Sequence, residues 1–135
     1  VRLVIVGDMI RNVVGSFVIR VKLGTSTVLT SNALALNNQT NRRRWIIEVV
    51  FLNSAAASQK WLAKFLLSAS SALNFGITPT SNTGVDETWT GVGLAVSAED
   101  TASARTLNVT IQWDVANASL SLRKEMALLE EIPKV

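Results

Sequence analysis

From Thr106 to Asp114 the sequence reads TLNVTIQWD, with apolar and polar side chains alternating without a fault. Leu107, Val109, Ile111 and Trp113 fall on one face, and Asn108, Thr110, Gln112 and Asp114 on the other. A period of two is what a strand with one dry and one wet face imposes, and β-branched and aromatic side chains suit its pleated surface. The stretch is expected to be a central antiparallel strand, its apolar face closed by walls laid down earlier in the chain.

The rest of the sequence supplies those walls. Val1 to Ile10 reads as a first strand with Gly7-Asp8 as a turn or bulge signal, and Phe17, Ile19 and Val21 alternate with Val18, Arg20 and Lys22 as a second. Gly24 to Thr27 is a turn, TVLT with Leu34 and Leu36 gives short strands broken at Ser31-Asn32, and Asn37 to Asn41 is a polar loop. Trp45 to Leu52, WIIEVVFL, is so nearly continuous in its hydrophobicity that both faces should be covered, either at a sandwich centre or at a subunit interface. QKWLAKFLLSASSAL fits a helical face and strand alternation alike, and its strand neighbours favour strand. Asn74 to Thr88 is the longest loop, and Trp89 to Ser97 returns as a strand in which Gly91 and Gly93 make room for a large neighbour such as a tryptophan. Leu120 to Ile132 carries both helical spacing and alternation. Short strands with turns at roughly ten-residue intervals predict one all-β domain over residues 1–135, a sandwich or barrel.

The composition narrows the chemistry. The 135 residues contain no cysteine and no histidine, so the thiol nucleophile, the usual general base and the commonest transition-metal ligand are all missing. A net charge of +3, scattered except for Arg42-Arg43-Arg44, is too thin for a nucleic-acid face. Val1 to Val6 is far below the roughly 18 apolar residues of a membrane-spanning helix, so neither nucleic acid nor membrane is expected as a partner. The start at Val1 without a methionine is read as an internal or processed beginning.

Four tryptophans, Trp45, Trp61, Trp89 and Trp113, are read as core or interface anchors. Trp89 is the exception, since it follows the polar loop and Asp86-Glu87 and could stack on a sugar. Asp86-Glu87 and Glu99-Asp100 lack calcium-loop spacing and are read as solvated acids. Arg42, Arg43 and Arg44 are either a solvated start to the following strand or an electrostatic clamp on an acidic partner. No catalytic residue, cofactor or metal site is expected. The candidate ligand or partner contacts are Trp89, Asp86, Glu87, Arg42, Arg43 and Arg44.

The order of segments carries a resemblance. IRVKLG from Ile19 to Gly24, then TSTVLTS, then RRRWIIEVVFL, resembles the middle of jelly-roll domains of tailed-bacteriophage virion proteins, in which a hairpin precedes a Trp-containing strand. AEDTASARTLNVTIQWDVANASLSLRKEMALLE is similar to the closing stretch of the same family, and the match covers most of the chain in order, from about Val1 to Ile132. The charged, helix-prone RKEMALLEE departs from that pattern. The resemblance implies an antiparallel jelly-roll β-sandwich, a homotrimer of tumour-necrosis-factor-like arrangement on the virion surface. Such a protein is a non-enzymatic capsid decoration or cement protein or head fibre, in contact with other virion proteins such as the major capsid protein. The alternative is a carbohydrate- or receptor-binding domain of a tail fibre that meets a host surface glycan.

Overall fold

The computed structural model describes residues 1–35, 38–67 and 89–132. Among them every regular element is a strand: β1 (Arg2–Arg11), β2 (Phe17–Leu23), β3 (Ser26–Thr30), β4 (Gln39–Ala55), β5 (Ser58–Leu67), β6 (Trp89–Ser97), β7 (Leu107–Trp113) and β8 (Leu120–Glu130). They form two antiparallel sheets, a five-stranded one in the order β6-β5-β4-β1-β8 and a three-stranded one in the order β3-β2-β7.

Alternation decides what is buried. Phe17, Ile19, Val21 and Leu23 project inward from β2, while Met9, Trp45, Ile47, Val49, Trp61, Phe65 and Leu67 project inward from the larger sheet, and these two rows make one core. Phe17 sits edge-on to Phe65 and to Trp113, with ring centroids 5.9 and 5.2 Å apart. The anchor role expected of the tryptophans holds for Trp45 and Trp61, which are buried, and for Trp113, which is half-buried against Phe17. QKWLAKFLL is strand, with Gln59, Trp61, Phe65 and Leu67 on its buried face.

Several expectations need correction. Thr106 to Asp114 does form a strand with its apolar face inward, but β7 is an edge strand; the centre of its sheet is β2. On its polar face Asn108 and Gln112 stay in water, and Gln112 accepts a hydrogen bond from Arg20 at 2.8 Å. The polar loop foreseen at Asn37 to Asn41 is, from Gln39 on, the start of the 17-residue β4. The C-terminal segment is strand throughout Leu120–Glu130, because pairing with β1 along that length overrides its helical spacing. Trp45 to Leu52 is covered on one face only among the described residues: Trp45, Ile47 and Val49 are buried, whereas Ile46 and Leu52 are exposed.

One glycine fixes how β1 lies between its neighbours. Gly7 opposes Trp45 on β4, and the β1–β8 register slips between Val6 and Gly7, so the Gly7-Asp8 signal is a bulge. A Cβ on Gly7 would stand 2.4 Å from the Trp45 ring and closer still to the Arg123 carbonyl oxygen, so no larger residue fits without moving backbone. At Gly91 an added Cβ meets nothing within 4 Å. Gly7→Ala is therefore expected to cost about 3 kcal/mol of unfolding free energy, and Gly91→Ala to stay within about 0.5 kcal/mol of wild type. Urea denaturation followed by tryptophan fluorescence measures both.

Candidate functional site

The outer face of the five-stranded sheet is built by the same alternation that fills the core. Residues paired across neighbouring strands share a face, and the outward rows are aliphatic: Met126, Val6, Ile46 and Leu66 in one, Arg2, Val50, Leu62 and Leu94 in another. Leu128 and Val4 continue the apolar surface beside Glu48, Lys64 and Val92, and Leu52 and Val96 extend it at the end near the β4–β5 hairpin. Leu94 and Val96 are 77% and 79% exposed. Monomeric soluble proteins rarely carry a large contiguous apolar patch, and patches of that kind mark contacts with proteins, membranes or ligands.

Charges cross this face as a connected band. Arg2 donates from Nε to Glu48 at 2.7 Å and from Nη1 to Glu130 at 3.0 Å, while Lys64 stands 3.8 Å from Glu48. The Arg2 hydrogen bond holds the Glu48 carboxyl below its ordinary range. From β8 to β5 the signs run minus, plus, minus, plus.

At one end of the same face lies Asp8, just past the bulge. Arg123 donates to both of its oxygens, from Nε at 3.1 Å and from Nη2 at 2.5 Å, and Arg42 donates from Nε to Oδ1 and from Nη1 to Ser121 at 2.9 Å. Hydrogen bonding from Arg123, then from Arg42, lowers the Asp8 pKa and outweighs the burial that would raise it. The basic triplet is thus split by the pleat. Arg42 faces outward and is tied to Asp8, Arg43 faces inward and is buried, and Arg44 is exposed on the outer face opposite Asp8. Asp8 had no place among the candidate residues, because the glycine beside it carried the only local signal and its two guanidinium partners lie 34 and 115 residues away.

The opposite end of the sheet is organised by Gln59, which is buried on the inner face. Its Oε1 accepts from Ser97 Oγ and from the Glu99 amide, both at 2.9 Å, and its Nε2 donates to the Glu99 and Ala56 carbonyls at 2.9 and 3.2 Å. Trp61 Nε1 donates to the same Ser97 hydroxyl at 2.8 Å. Glu99-Asp100 sits in this turn, where Asp100 accepts from the Ala102 amide at 2.9 Å. This network holds the β6–β7 connection against the β4–β5 hairpin.

Between the sheets, on the β3 and β6 side, a cleft of about 440 Å³ opens over Ile19, Val21, Leu29, Ile47 and Phe65. Gly91 and Gly93 contribute backbone alone to its wall, and among the described residues Leu29 from the facing sheet approaches Gly93 while the space over Gly91 is open. Trp89 is the first residue of β6 and pairs through its backbone with Leu67, but its side chain lies outside the described portion. Asp86, Glu87 and the loop from Asn74 to Thr88 also lie outside the described residues. The candidate residues whose side chains are described, Arg42, Arg43 and Arg44, come together only as neighbours on β4.

Set against models of known families, curated proteins and solved structures, the chain matches none of them.

The Asp8 cluster makes a prediction about pH. A carboxyl whose native pKa lies below its unfolded value stabilises the fold above the unfolded value, about 3.9, and loses that contribution as the pH falls through the native one. Asp8→Asn is expected to cost about 2 kcal/mol at pH 7, allowing for screening of the exposed Arg123. The difference from wild type should shrink steadily below about pH 4. Urea midpoints at pH 7 and at pH 3 measure it, and an undiminished difference at pH 3 would contradict the assignment.

Proposed function

We propose that this chain is a non-enzymatic structural protein of a phage particle, a homotrimer exposed at the virion surface that decorates or stabilises the capsid. The observation that carries this reading is the outward aliphatic face of the β6-β5-β4-β1-β8 sheet. A face of that kind is costly to leave in water, and a subunit that works inside an assembly keeps it covered. The phage setting comes from the resemblance of the IRVKLG, RRRWIIEVVFL and TLNVTIQWD segments to virion jelly-roll domains. Pairing of β1 with β8 and of β2 with β7 supports the jelly-roll part of the reading, since a jelly roll is wound from a ribbon whose two ends pair in this way. The strand order departs from it where β2 pairs with β3, β5 with β6 and β1 with β4, since a jelly roll places the members of each of these pairs in opposite sheets.

Other virion proteins, the major capsid protein first among them, are the partners this reading calls for. Arg44, exposed on β4, is the member of the basic triplet best placed to meet an acidic surface on one of them. Imaging intact particles labelled with a gold-tagged antibody against the chain tests the reading. Label distributed over the head is the expected result. Label confined to the tail tip would replace decoration with receptor binding and make Trp89 the first residue to mutate, and particles without label would end the virion reading.

A further inference from the structure

We infer that the outer face of the five-stranded sheet is covered by a second copy of this same chain. The inference rests on the oligomeric part of the function proposed above and names the surface that holds the copies together. It is carried by area, composition and charge.

Area comes first. Five strands set about 4.8 Å apart, with about nine residues each at roughly 3.3 Å per residue, make a face of about 24 by 30 Å, on the order of 700 Å². A standard specific interface takes about 800 Å² from each partner, so the face is of the size that one partner covers. Composition then favours a lasting partner over a passing one. Leu94 and Val96 on β6, Leu52 on β4, and Met126 and Leu128 on β8 are all exposed, so the apolar surface runs from one edge strand to the other, as in the interior of obligate oligomers.

Charge identifies the partner as another copy. The β8–β1 half of the face presents Glu130 and Arg2, and the β4–β5 half presents Glu48 and Lys64. Laid against each other in order, Glu130 of one copy faces Lys64 of the next and Arg2 faces Glu48, so within this central band one half complements the other in sign, with the Asp8 cluster and Arg44 towards one end of the face and Lys60 towards the other. In a pair both halves of the face meet the same copy, and in a ring of three each half meets a different neighbour. Arg2, Glu48, Glu130 and Lys64 are already paired within each chain, so covering this band leaves none of its four charges alone.

The test is sedimentation velocity of the full chain from nanomolar to micromolar concentration, with the double variant Leu94→Asp, Val96→Asp beside it. Both positions are so exposed within the chain that the variant should fold, which the fluorescence of buried Trp45 and Trp61 verifies. Wild type is expected to sediment as an oligomer, and the double variant to need about 100-fold higher concentration or more to associate. Val14→Asp, equally exposed but in the β1–β2 connection, should leave association unchanged. A wild-type monomer of 14.6 kDa throughout, or an oligomer indifferent to the double variant, would overturn the inference. If the chain is monomeric yet still decorates particles, with its β6 amides protected from exchange only there, the face belongs to another virion protein; the inference then fails and the virion reading survives.

Discussion

Phe17, Ile19, Val21 and Leu23 on β2 meet Trp45, Ile47 and Val49 on β4, and everything else in the molecule is arranged around that contact. Each of these strands is the middle one of its own sheet, so the contact joins the two sheets at their centres. Every large side chain buried there contributes about 1.5–3 kcal/mol against the entropy of ordering the chain. The two sheets are unequal, however. At about 4.8 Å between strands, three strands cannot cover the inner face of five. The overhang falls largely on β8, where Leu129 is 66% exposed although it pairs with Leu3 on the inner side of the sheet.

Two polar clusters fix what the apolar contact leaves free. Apolar packing tolerates sliding, whereas hydrogen-bonded groups in low dielectric must be satisfied in one arrangement. Asp8 pins β1, β4 and β8 to one another at one end of the larger sheet, and Gln59 pins the β4–β5 hairpin to the turn after β6 at the other. Between them runs the Arg2, Glu48, Lys64 and Glu130 band, which spans four strands. The register of the sheet and the sign pattern of its outer face therefore have one origin.

Much of this was legible in the residues taken in order. Alternation located β2, β6 and β7 nearly to the residue and separated the inward from the outward side chains of β2 and β7. It also favoured strand for β5 against an equally good helical spacing. The candidate site was less legible. The basic triplet reads as one cluster, yet the pleat sends Arg43 to the interior and ties Arg42 to Asp8, so a run of like charges became three residues with different surroundings. The hydrophobic run from Trp45 to Leu52 allowed either a sandwich centre or a subunit interface. Among the described residues the fold covers the inner side, Trp45, Ile47 and Val49, and leaves Ile46 and Leu52 exposed.

The sequence by itself determined that most segments are strands and which faces of β2 and β7 turn inward, because a period of two is a local property that survives whatever the partners turn out to be. It also settled the absence of cysteine and histidine chemistry. Only the tertiary structure decided which strands are central and which are edges, that RKEMALLE is strand, and that the outward side chains of five separate segments merge into one apolar face. Those outcomes depend on pairings such as Arg2 with Glu130, which lie 128 residues apart, and no local pattern encodes which distant segment will supply a strand's hydrogen bonds.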